Sequence, residues 1–246
     1  MTTVTTSWDD GDVLDLKVAE LLDKYGIKGT FYITKNYRKE RLSEEDIKKL
    51  STRHEIGAHT LTHPDLPKVS YETKLAEMGG SKQWLESVLG KEVPMFCYPF
   101  GRYNDESMRA AKASGFIGAR TTVLGSIKTP SNPFDMSTTV HVYPLPFRKK
   151  DAHTFYWRYL LQPWWQRGGE LHKLGVPLYA MRSFETAACA AFDIAKAKGG
   201  VYHLWGHSWE IERYDLWEEF ERVLKYIGNR QDCDYVTNGE VVTSTS

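Results

Sequence analysis

One recurrent alternation constrains this chain more than any other feature. Through the first two thirds of its 246 residues, short β-branched or aromatic runs are each followed by a turn and an amphipathic stretch. That rhythm predicts an α/β fold. Strands are expected at Val4–Trp8, Thr30–Ile33, Glu55–His59, Met95–Tyr98, Gly118–Thr122 and Val201–Trp205. Between them, Leu14, Val18, Leu21, Leu22 and Tyr25 share one helical face ahead of Gly26, and Ser43 with Asp46 forms a capping-box pattern opening a helix to Leu50. Further helices are expected at Ser70–Leu89, Asp105–Ser114, Phe184–Lys198 and Tyr214–Ile227.

From about Val123 to Arg182 the rhythm fails, and the chain becomes rich in aromatic residues with Pro and Gly punctuation. With no repeat or linker to mark a boundary, residues 1–246 are expected to form one domain, with 123–182 as an insertion. Its rings either bury the insertion itself or stack on sugar faces, with Tyr156, Trp157, Trp164 and Trp165 as candidates. Such a cluster would serve equally as a homo-oligomer interface.

Composition removes several classes of function. Lys plus Arg and Asp plus Glu both number 32, so there is no basic field to gather nucleic acid or anionic lipid. No run reaches the length of a membrane span, and MTTVTTSWDDG lacks a basic start followed by an apolar stretch. Cys97, Cys189 and Cys233 show no paired spacing, as expected of reduced thiols. A cytoplasmic protein without nucleic-acid or membrane partners is therefore expected.

Four short elements carry chemistry. Asp9-Asp10-Gly11 follows a strand; both carboxylates can face one site only if the backbone turns, which Gly11 permits. His59 and His63 are four apart, so a single turn lets both reach one metal ion. Pro99-Phe100-Gly101 ends a strand where backbone N–H groups can leave the ladder, and Val201–His207 is a strand closing on histidine. Taken singly, each reads as well as a turn or a structural histidine.

Together and in this order, they resemble the polysaccharide deacetylase family, also called the NodB homology or carbohydrate esterase family 4 domain. Thr-Ser-Trp-Asp-Asp-Gly stands at the family's Thr-Phe-Asp-Asp-Gly, His59–His63 matches its His-Ser/Thr-x-x-His, and Pro99-Phe100-Gly101 matches its Pro-Tyr/Phe-Gly. The resemblance implies an irregular (β/α) barrel of about seven parallel strands with its site at the strand C-termini. It further implies that Asp10, His59 and His63 bind one divalent metal, zinc foremost, with cobalt, nickel or manganese compatible. Asp9 would be the general base, His207 the general acid, and the Phe100 backbone N–H, next to Pro99, an oxyanion donor.

The implied activity is hydrolysis of an N-acetyl group on an amino sugar, oligosaccharide or polysaccharide. The same site could act on sugar acetate esters or cyclic amides, or survive in an inactive sugar-binding barrel. Two positions depart from the family pattern. Cys97 stands where many members have the arginine that steadies the base, and the family's tryptophan-containing segment that supports the histidine has no evident counterpart, Glu210, three residues after His207, being a candidate substitute. Trp205, two residues before His207, either narrows an acyl pocket to acetyl or formyl size or belongs to the core.

Overall fold

The computed structural model describes residues 1–148 and 157–244. Its elements follow the alternation of the sequence. β1 (Thr2–Asp10) leads into α1 (Asp15–Lys24), β2 (Gly29–Ile33) into α2 (Glu44–Leu50), and β3 (Glu55–Ala58) into α3 (Tyr71–Leu89). β4 (Met95–Cys97) leads into α4 (Asp105–Ala113) and then β5 (Gly118–Arg120). The boundaries have local causes. Ser43 and Asp46 exchange hydrogen bonds as a capping box before α2, the Ser70 and Asn104 side chains cap α3 and α4, and Gly90 ends α3 at φ 66°.

The strands are mutually parallel in the order β5-β4-β3-β2-β1-β7-β6, where β6 is Val140–His141 and β7 is Val201–Gly206. Beyond β5, the Met136 backbone bonds to both Ala119 and Thr121, and shortly afterwards Val140 and His141 pair with β7. One stretch of chain thus joins the two ends of the path, which gives the irregular barrel expected. β8 (Cys233–Tyr235) pairs only with the start of β1, from Thr2 to Val4.

The stretch 123–182 is more than an insertion, because β6 inside it is a barrel strand. It also holds α5 (Trp157–Pro163) and α6 (Gly169–Leu174), joined by a wider π-type turn, and α7 (Phe184–Lys198) follows it. The helix expected at Tyr214–Ile227 starts later, as α9 (Trp217–Ile227), and is preceded by a short helix that was not expected, α8 (Ser208–Arg213), with Asp215 between them at φ 56°. A residue forced into the left-handed region cannot continue a helix. α10 (Asn238–Thr243) ends the described chain.

The core forms where helix stripes meet the sheet. Val18, Ala19 and Leu22 of α1 are buried, and α9 buries Phe220, Val223, Leu224 and Ile227 at helical spacing. Trp8 of β1 is wholly buried, edge-on to Phe220 at 5.1 Å. Because all the strands run one way, their C-termini bring Asp9, Asp10, His59, Phe100, Arg120, His141 and His207 to a single mouth of the barrel.

Candidate active site

The backbone turns at the end of β1 as the paired carboxylates require, and it does so at Asp10 itself (φ 80°) as well as at Gly11 (φ 71°). Left-handed conformation recurs at Thr60 (φ 67°), His63 (φ 59°) and Phe100 (φ 58°). Residues held in that region cost stability and persist only where their surroundings impose them. Gly101 shows such a constraint, since at φ 64° an added Cβ would collide with Thr122.

Asp9 is buried, and its Oδ1 pairs with Nη2 of Arg120 from β5 while Oδ2 lies 3.8 Å from the Cys97 thiol. Burial pushes the Asp9 carboxyl up, but Arg120, His59 and His207 outweigh it and hold the group at about 2. Arg120 is itself fully buried and stays charged. It therefore fills the role left open by Cys97. The sequence did hold a signal: Arg120 is the one charged residue in the small, β-branched run Gly118-Ala119-Arg120-Thr121-Thr122. The Cys97 thiol is driven well above its usual range by burial, which fits a small packing residue and not a reactive one.

Beside Asp9, three groups converge. Asp10 Oδ1 is buried without a hydrogen-bond partner and lies 3.8 Å from His59 Nε2 and 3.6 Å from His63 Nε2. These separations are too long for hydrogen bonds and suit donors around one ion, whose ligand atoms at about 2.0–2.1 Å stand roughly 3–4 Å apart. His59 Nδ1 meets the Cys97 carbonyl at 2.7 Å, so Nδ1 carries the hydrogen and the Nε2 lone pair faces Asp10. The Trp209 indole N–H donates to the other Asp10 oxygen at 3.0 Å. Burial lowers the pKa of both imidazoles, that of His63 to about 3, which keeps them neutral as metal ligands must be. The residues present thus fit a divalent cation. Asp9, His59 and Cys97 also cluster, but Arg120 already occupies Asp9.

On the opposite wall His207 follows β7, its Nδ1 2.7 Å from Glu210 Oε2 and its Nε2 4.0 Å from Asp10 Oδ2. Burial alone would depress its pKa, but Glu210 raises it to about 9. Glu210 also lies 3.2 Å from His141 Nε2, and Arg167 donates to His141 Nδ1 from Nε at 3.0 Å and from Nη2 at 2.9 Å. An accepting Nδ1 places the imidazole hydrogen on Nε2, toward Glu210. Trp205 stacks flat on His141 at 4.0 Å.

These groups line one cavity of about 520 Å³, together with Tyr37, Phe100, Thr122, Trp209 and Gln166. Tyr37 stacks on His63 at 4.0 Å, and Phe100, 55% exposed, meets that ring edge-on. Pro99 is buried and does not line the cavity. Trp164 packs half-buried against the core and Trp165 is 61% exposed; neither reaches the cavity, where the insertion instead presents Gln166 and Arg167. Tyr156 and the Trp157 side chain lie outside what is described. The sequence reading missed Tyr37, Arg120, His141, Arg167 and Trp209, all brought in by tertiary structure and not by a motif.

The polysaccharide deacetylase family model matches residues 2–118. YxkH of Bacillus subtilis, named after the same family, is 32% identical over 127 residues, which are 50% of this chain and 46% of YxkH. The chain thus matches about half the length of that relative or less. Among solved structures, a Mycobacterium smegmatis protein named after the same family superposes with TM-score 0.70 over 99% of this chain and 89% of its own, at 13% identity. A family 4 acetyl xylan esterase from Clostridium thermocellum, solved with a cobalt ion, gives TM-score 0.60 over 99% and 91% at 16% identity. At these identities the two structures establish the shared barrel.

Proposed function

We propose that this chain, whose residues 2–118 match the polysaccharide deacetylase family model, hydrolyses the N-acetyl group of an amino sugar or its oligomer, residues 1–246 acting as one catalytic domain. The observation that carries this reading is a single cavity in which Asp9 and His207 flank the trio Asp10, His59 and His63. A divalent ion held by that trio, zinc foremost, would supply the Lewis acidity that lets water ionise near neutral pH.

The remaining steps belong to the protein. Asp9, ionised down to about pH 2, accepts the proton of the attacking water. Water oxygen bonds to the acetyl carbon, and the backbone N–H of Phe100 stabilises the resulting oxyanion. The C–N bond then breaks as His207 gives its proton to the departing nitrogen, releasing acetate and the free amine. A histidine with a pKa of about 9 is protonated at neutral pH and can act so without prior loading. Trp205 and His141, stacked together, back the acyl end and leave room for a short acyl group.

The test is acetate release from N-acetylated amino sugars, O-acetylated sugars and cyclic amides, using metal-stripped protein with zinc, cobalt or nickel restored. Metal-dependent acetate release from the N-acetyl compounds is expected. Release from esters alone, or ring opening without acetate, would reassign the bond.

A further inference from the structure

The insertion sends one cation into the cavity. Arg167 is half-buried, its guanidinium carbon 3.7 Å over the Tyr143 ring, and it lines the same cavity as the proposed reaction centre. One edge of the fork, Nε with Nη2, is used on the neutral His141 ring. At the other edge, Nη1 meets only the side-chain oxygen of its exposed neighbour Gln166, at a long 3.3 Å. Among the described residues, no ion pair joins Arg167 to a carboxylate. Glu210, an acidic group of the same cavity, is already held by His207, with His141 Nε2 3.2 Å away.

A guanidinium partly withdrawn from water without an anion is costly, and such groups are normally paired. Burial accordingly lowers the Arg167 pKa, and the attraction of Tyr143 and Glu210 does not make up the loss. The local balance points the same way. Asp9 is matched by Arg120 and Glu210 by protonated His207, while a divalent ion over Asp10 would leave further positive charge. Arg167 then stands as surplus in a cavity wide enough for a sugar ring. A guanidinium fork presents parallel N–H groups that fit a carboxylate or phosphate.

We propose that Arg167 is an anion-binding subsite, and that the substrate is an N-acetylated amino sugar bearing a carboxylate or phosphate that displaces Gln166 from Nη1. This rests on the deacetylase reading for the reaction, but the subsite can be tested apart from turnover.

Matched N-acetylated sugars that are neutral, carboxylated or phosphorylated are offered to the zinc-loaded protein, and both acetate release and calorimetric binding are measured. The account expects an anionic member to bind, and to react by kcat/KM, about tenfold to a hundredfold better than the neutral one. Arg167→Gln should collapse that ratio toward one, Arg167→Lys should keep part of it, and Gln166→Ala should preserve it. The ratio separates recognition from general damage, because a distorted His141–Glu210 network would slow both substrates alike. Which anionic member prevails identifies the group. Selective anion binding without acetate release would keep the subsite and sink the deacetylase reading; acetate release and binding without anion preference would do the reverse.

Discussion

The two walls of the cavity are built differently. On one, Asp9, Asp10, His59 and His63 come from motifs of a few residues at the ends of β1 and β3, with backbone set in left-handed turns. On the other, His207 depends on Glu210, His141 and Arg167, which come from α8, β6 and the turn between α5 and α6. The first wall is a local property of sequence and the second a product of tertiary assembly. A wall set by short-range geometry thus sits opposite one that depends on long-range packing.

The largest effect should come from the motif wall. Asp9→Asn removes the proposed proton acceptor while leaving the proposed metal-binding trio intact, so kcat should fall by about 10²- to 10⁴-fold with zinc still bound. Steady-state acetate release alongside metal analysis checks both halves. Arg120→Met bears on the join between the walls, since it leaves Asp9 buried and unpaired. Urea unfolding should show a loss of about 3–5 kcal/mol. A loss well under 1 kcal/mol would mean that Arg120 does not restrain Asp9.

Glu210→Gln sharpens the assembled wall. His207 must be protonated to donate, so activity should persist below its pKa of about 9 and fall as pH rises through it. Without Glu210, whose charge raises that pKa, the alkaline limb should move toward the ordinary histidine value of about 6.5. A pH–kcat profile with an unmoved limb would contradict the assignment. The smallest effect is expected at Trp165, which is exposed and away from the cavity. Trp165→Ala should change stability by less than about 0.5 kcal/mol and leave KM unchanged.

The same contrast explains what could be read from the sequence. Periodicity revealed most strands, and the capping box at Ser43 and the left-handed Gly26 and Gly90 stand where expected. β6 and β8, of two and three residues, are too short to carry a period, and so is the six-residue α8 ahead of the turn at Asp215. The motif residues were legible because Asp9-Asp10 and His59–His63 are each a short local pattern, and the family resemblance joined the two patterns across the 49 positions between Asp10 and His59. Arg120 reaches Asp9 across 111 positions and Arg167 reaches His141 across 26, distances at which sequence spacing says nothing about proximity. Glu210, three residues from His207, was legible for the opposite reason. Trp164, half-buried against the core, and Trp165, exposed, both stand outside the cavity, a placement that aromatic density in a sequence does not reveal.

In the proposed reaction one ion, held by Asp10, His59 and His63, serves deacetylation. Zinc bound per chain and acetate release should be measured on the same samples of wild type and Asp10→Ala. One zinc per wild-type chain, with both zinc and acetate release lost in Asp10→Ala, is the result predicted. Zinc retained by Asp10→Ala, or acetate released by metal-stripped wild type, would contradict it.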